Sequence, residues 1–311
     1  MANSIRGLHH VTAISGAPQD NLDFMIGTLR QRFVKRTVNF DAPDTYHFYY
    51  GDRLGSPGTI MTYFPFVDAG PGRAGSGMAS SVAYAVPRGG LDAWIDHFAF
   101  EALDFEGPHE RFGERVVAIR APDGLCIELI ETEHAVASDG DGCTDDGFHS
   151  VTLESAKPDR TAQLLVDVFG YSDAGEKSDG EAKRHRFISA SGDRGSVVDL
   201  LTPSKPTLGR MGAGTIHHVA FRAEDDADQL EWRERLGRAG YDVTSVVDRQ
   251  YFNAIYFREP GGVLFEIATD PPGFSTDEPV EALGKSLKLP PKYEASRERI
   301  ERALPEIRVP A

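Results

Sequence analysis

Ile216-His217-His218-Val219-Ala220-Phe221, followed later by Glu259-Pro260-Gly261-Gly262-Val263-Leu264-Phe265-Glu266, is the stretch whose reading decides the fold. The first run is rich in β-branched and aromatic residues and opens a strand with two adjacent imidazoles. The second is a glycine turn feeding an apolar strand that carries one carboxylate. Near the other end of the chain, Leu8-His9-His10-Val11-Thr12 repeats the opening motif.

Two weaker copies lie between them, Ser80-Ser81-Val82-Ala83-Tyr84 and Phe148-His149-Ser150-Val151-Thr152. The residue before each valine is His10, Ser81, Ser150 or His218, at spacings of 71, 69 and 68 residues. So regular a period marks internal duplication. Apolar residues at helical spacing follow the first three openings: Leu22, Met25, Ile26 and Leu29; Leu91, Trp94, Ile95 and Phe98; Thr161, Leu164, Leu165 and Val168. The stretch from Asp226 to Gly240 matches that template poorly and is read as helix from the repeat alone. Each unit closes with a glycine and a short strand, and four residues after Gly58, Gly124, Gly195 and Gly262 stand Thr62, Glu128, Asp199 and Glu266.

The expectation is an α+β protein of four tandem βαβββ modules paired into two open-barrel domains. Residues 1–135 hold the first two modules and 147–270 the last two, with an acidic, glycine-rich linker at 136–146. The tail, 271–311, is expected to pack along the body, with Tyr293–Leu304 as a charged amphipathic helix.

If modules one and four share a sheet, His10, His218 and Glu266 converge. Two neutral imidazoles and one carboxylate on one face are the usual ligand set for iron(II) in oxygen chemistry, because they leave coordination positions open. Thr62, in the slot where a fourth protein ligand would stand, is a poor one. A lone strand histidine is ordinarily a hydrogen-bonded core or surface group, and only the recurrence in equivalent slots lifts these three above that reading. His9 and His217 precede the slot and by simple alternation face the other way. His149 shares their register and is the competitor to His10, provided a bulge re-aims it. His47, His97, His109, His134 and His185 default to structural or exposed roles.

Bulk properties narrow the classes. A formal charge of -15 argues against nucleic-acid binding, which rests on cationic contacts to phosphate. No apolar run approaches the roughly 20 residues of a membrane span. The two cysteines lack metal-ligand spacing and suit a reducing cytoplasm, and no secretory leader is expected at the N-terminus.

The repeated unit, the terminal His-His pairs and Pro260-Gly261-Gly262-Val263-Leu264-Phe265-Glu266 resemble the vicinal-oxygen-chelate superfamily. Within it the chain is similar to ring-cleaving dioxygenases of the dichlorohydroquinone dioxygenase type. That likeness also runs through Gln31–Thr37, Gly55–Thr59, Arg184-His185-Arg186, Asp248–Phe252 and the tail. The resemblance implies iron(II), or alternatively manganese(II), on His10, His218 and Glu266. It further implies catalytic roles for His9, His217 and Tyr256, and substrate contacts from Thr12 and Arg249. The substrates implied are a small hydroquinone-type aromatic and O2, in a chain that forms a homo-oligomer or acts alone. Rival readings are a catechol-cleaving dioxygenase, a glyoxalase-like isomerase or lyase, which Thr62 disfavours, and a metal-free protein that sequesters planar phenols.

Overall fold

The structure is a computed structural model that describes residues 4–133, 135 and 146–310. Module one contributes β1 (Leu8–Ser15), β2 (Arg32–Asn39), β3 (Ala42–Gly51) and β4 (Ile60–Pro65). Module two contributes β5 (Met78–Pro87), β6 (Phe105–Arg111), β7 (Glu114–Arg120) and β8 (Cys126–Thr132). In module three stand β9 (Phe148–Glu154), β10 (Tyr171–Asp179), β11 (Ala182–Ser189) and β12 (Val197–Pro203). Module four supplies β13 (Thr215–Ala223), β14 (Val247–Asp248), β15 (Phe252–Arg258) and β16 (Leu264–Pro272).

These strands form two curled eight-stranded sheets, ordered β14-β15-β16-β13-β1-β4-β3-β2 and β10-β11-β12-β9-β5-β8-β7-β6. Modules one and four therefore share one sheet, and modules two and three the other. Each sheet draws on both sequence halves, so the split into 1–135 and 147–270 describes chain order and not sheet partnership. The linker expected at 136–146 lies, except for Asp146, outside the described residues.

The helix expected from Asp226 is present as Asp226–Arg238, its N-terminus capped by the Asp225 carboxylate accepting from the Asp228 N–H at 2.9 Å. Module two carries a regular helix, Leu91–Phe100. Modules one and three depart from the expected pattern. Short α-helical turns at Pro18–Leu22 and Asp159–Gln163 widen into π-helical turns at Asp23–Thr28 and Leu164–Val168. Their apolar faces still bury Leu22, Met25, Leu164 and Leu165. All four closing glycines have positive φ, between 64° and 111°, as the tight turn into each closing strand requires.

One hydrophobic core spans both sheets. Phe169 of module three packs edge-on against Phe221 of module four, with ring centroids 5.0 Å apart. The tail lies along β2 and β3, its helical part divided into Pro291–Glu294 and Arg297–Ala303. Its anchor is Lys35, fully buried, whose ammonium donates to Asp277 and Glu278 at 2.6 Å each. Among the described residues no helix is long and apolar enough to cross a membrane.

Candidate metal centre and cavity

Strand register builds the site in two rows. In the first, Tyr256 stands opposite Glu266, Glu266 opposite Ala220, and Ala220 opposite His10. In the second, His218 faces Thr12, Thr12 faces Thr62, and Thr62 faces Tyr49. Directly paired residues, and residues two apart on a strand, share one face of a sheet. Both rows therefore project to the same side, and Ala220 adds only a methyl group between Glu266 and His10.

Three donor atoms meet there. His10 Nε2 and His218 Nε2 lie 3.2 Å apart, and Glu266 Oε2 is 3.4 Å from the first and 3.1 Å from the second. All three side chains are buried, Glu266 completely. Neither oxygen of Glu266 makes a well-aligned hydrogen bond, although both imidazoles stand within 3.4 Å of Oε2. A carboxylate taken out of water and left without a donor is costly. A divalent cation held by His10 Nε2, His218 Nε2 and Glu266 Oε2 would remove that cost. Burial alone would raise the Glu266 carboxyl, and only positive charge in the site, on the imidazoles or on a bound cation, keeps it ionised. Burial, partly offset by Glu266, lowers His218, favouring the neutral imidazole that a metal needs. His10, His218 and Glu266 are the one His/Cys/Asp/Glu group of metal-binding geometry among the described residues.

His9 and His217 do not follow simple alternation, and the reason is local. The β1–β13 register steps from Leu8 opposite Phe221 to His10 opposite Ala220, and from Thr12 opposite His218 to Ala13 opposite Ile216. His9 and His217 are thus the extra residues of two β-bulges, which re-aim a side chain. Each turns its ring back onto its neighbour: His9 Nδ1 is 3.0 Å from His10 Nδ1, and His217 Nδ1 is 2.8 Å from His218 Nδ1.

The hydrogen-bond partners then assign the protons. The Thr269 carbonyl can only accept, so His9 donates to it through Nε2–H at 3.1 Å and leaves Nδ1 as an acceptor. His10 must donate from Nδ1, and its Nε2 lone pair faces Glu266. Burial, reinforced by His10, lowers the His9 pKa and keeps this neutral arrangement. His9 lies behind His10, outside the residues that line the cavity.

The cavity in front of the triad has a volume of about 510 Å³. Of the residues expected around it, His217, Arg249 and Tyr256 line it, whereas Thr12 is fully buried behind it and bonded to Thr62 at 2.9 Å. Arg249 donates through Nε to the Tyr256 hydroxyl at 3.1 Å. Burial and then Glu266 push the Tyr256 phenol well above its ordinary value, so it stays protonated.

Sequence reasoning missed His47 and Tyr49. His47 lines the cavity, with its ring nitrogens 2.8 Å from the Thr62 hydroxyl and 2.9 Å from the Tyr49 hydroxyl. Burial, followed by the nearby His10 ring, lowers its pKa. Their two-residue spacing on β3 was the available signal, but its meaning depends on β3 pairing with β4. Phe252 closes the floor, its ring 5.0 Å from that of His10.

The second sheet repeats the architecture without the triad. Ser81 and Ser150 occupy the opening slots, and arginines engage the closing carboxylates. Arg111 grips Glu128 through both nitrogens at 2.8 and 2.9 Å, and Arg186 grips Asp199 at 2.9 and 3.1 Å. His149 belongs to this sheet, bonded to Ser150 at 3.0 Å and Glu114 at 3.0 Å. It does bulge, as the β5–β9 register shift shows, but towards these partners and not towards Glu266.

A family model described as the Glyoxalase/Bleomycin resistance protein/Dioxygenase superfamily matches residues 147–267. The provisionally named ring-cleaving dioxygenase MhqO of Bacillus subtilis is 47% identical over 314 residues, covering 98% of this chain and 97% of that one. Chlorohydroquinone/hydroquinone 1,2-dioxygenase of Sphingobium indicum is 33% identical over 317 residues, covering 96% of both. The crystal structure of a provisionally named Bacillus subtilis dioxygenase superposes with a TM-score of 0.90, at 45% identity over 99% of each chain. Glyoxalase I from Zea mays shares the fold, with a TM-score of 0.63 at 13% identity over 85% of this chain and 92% of its own. With such relatives along almost its whole length, the chain belongs to the glyoxalase/bleomycin resistance protein/dioxygenase superfamily, beside relatives named as ring-cleaving dioxygenases.

Proposed function

We propose that the protein is an iron(II)-dependent ring-cleaving dioxygenase acting on hydroquinone-type aromatics, with His10, His218 and Glu266 as the metal ligands. The observation that carries this reading is the fully buried Glu266, facing two imidazole Nε2 atoms at 3.4 and 3.1 Å with no well-aligned hydrogen bond to either oxygen. When bound, the ion would supply positive charge that favours the substrate phenolate, together with open positions for phenolate and O2.

The chain's own residues orient and protonate. His9 is a positioning residue, since its Nε2–H is committed to Thr269 and its Nδ1 to His10. For His218 to offer Nε2, its proton must sit on Nδ1 and be donated to His217. The proton of His217 is then on Nε2, in a ring that lines the cavity. Burial, then His218, hold His217 at about 4, so it is neutral near pH 7 and acts as a donor to substrate oxygen. Because Arg249 fills an acceptor position of the Tyr256 hydroxyl, the hydroxyl's own proton points away from the guanidinium, towards Glu266 and the cavity. Phe252 and Phe64 give the ring apolar surface to lie against.

The test is anaerobic loading with iron(II), followed by oxygen uptake on hydroquinones and catechols. Uptake on hydroquinones is expected; uptake confined to catechols would move the assignment to the catechol-cleaving class. Silence on both, with tight phenol binding by metal-free protein, would support sequestration instead. Replacing His218 with Ala is expected to abolish iron retention, measured as metal content after desalting, and unchanged content would remove it from the ligand set.

A further inference from the structure

Among the described residues, Arg249 is the only lysine or arginine lining the cavity, and its outer edge is already engaged. Arg249 Nη1 lies 3.1 Å from Asp41 Oδ2, across the mouth from module four to module one. Asp41 sits at the tip of the β2–β3 hairpin, and that tip is fixed. The Asp41 N–H donates to Asn39 Oδ1 at 2.9 Å, and the tail's Tyr293 hydroxyl donates to the Phe40 carbonyl at 2.7 Å. Besides Glu266, Asp41 is the only carboxylate lining the cavity among the described residues.

Charge counting gives this pair a consequence, one that rests on the dioxygenase reading above. A divalent ion with Glu266 leaves one net positive charge, which one phenolate cancels. Arg249 and Asp41 cancel each other. A ring bearing a further carboxylate would bring a charge that nothing in the cavity balances, and would meet Asp41 at the mouth. We propose that Asp41 is a specificity-determining residue: by occupying Arg249 it tunes the cavity to hydroquinones with uncharged substituents and turns away carboxylated ones.

Asp41→Asn keeps the side-chain shape and removes the charge. The probes are methylhydroquinone and 2,5-dihydroxyphenylacetate, the same ring with and without a carboxylate. Both are measured by anaerobic equilibrium binding and by kcat/KM, and each result is read as the ratio of the two probes so that a general loss of activity cancels. The variant should shift both ratios about three- to fivefold towards the carboxylated ring, the upper range expected for a pair whose carboxylate is exposed. A double variant, Asp41→Asn with Arg249→Met, should lose that shift, because the freed guanidinium would be its source. Binding ratios unchanged within about twofold in Asp41→Asn would overturn the inference whether or not the rings are turned over. Absence of turnover with an altered binding ratio would instead count against the dioxygenase reading and leave the role of Asp41 standing.

Discussion

His9 shows how much a single hydrogen bond decides. The Thr269 carbonyl fixes one proton on His9, which fixes the next on His10, which turns the His10 Nε2 lone pair towards Glu266. Such partners usually contribute ten- to a hundredfold to metal affinity. His9→Phe keeps the ring volume and removes both bonds, so iron affinity measured by competition with a chelator should fall by about that factor while far-ultraviolet circular dichroism is unchanged. At this scale the sequence was legible for His10, His218 and Glu266, because the slot register of a duplicated unit carries over from copy to copy. It was not legible for His47 and Tyr49, since nothing local says that β3 lies against β4 with Tyr49 opposite Thr62.

Among the elements, the bulges and the closing turns matter most. Bulges stand at Ser80 and His149 as well as at His9 and His217, so all four openings share the extra residue. In the second sheet it serves hydrogen bonding, and in the first it stacks one imidazole behind another. The closing turns also join the sheets: the Leu8 N–H donates to the Gly195 carbonyl at 3.1 Å. A Cβ on Gly195, whose φ is +64°, would come within 2.6 Å of the Leu8 Cβ. Backbone strain and overpacking together should make Gly195→Ala cost about 2–4 kcal/mol, read as a lower urea midpoint at unchanged slope. The glycine positions could be read from the repeat, whereas the close approach of Leu8 could not.

Across the whole molecule, one sheet gathers two imidazoles and a carboxylate at one point, and the other pairs its carboxylates with arginines. Glu114 illustrates the second. Burial alone would raise its carboxyl, but His149 and Arg186 outweigh that and hold it at about 2. Its folded-state pKa is therefore depressed from 4.5, so its contribution is full above pH 4.5 and is lost as pH falls through about 2. Glu114→Gln should cost about 1–3 kcal/mol near pH 7, and the difference from the parent should shrink towards zero as pH approaches 2, followed by urea unfolding across that range.

By itself the sequence determined the module, its fourfold repetition, the closing glycines and the three residues with matching slots. These depend on local pattern: alternation along a strand, conformational freedom at a turn, and a period that duplication preserves. Only the tertiary structure decided that module one pairs with four and two with three. It also decided that His149 serves an ion-pair cluster, that His9 supports His10 from behind, and that Asp41 and Arg249 meet across a cavity. Each of those depends on contacts between residues far apart in the chain. A linear pattern does not encode them, because strand pairing and burial are set by how all four modules pack at once.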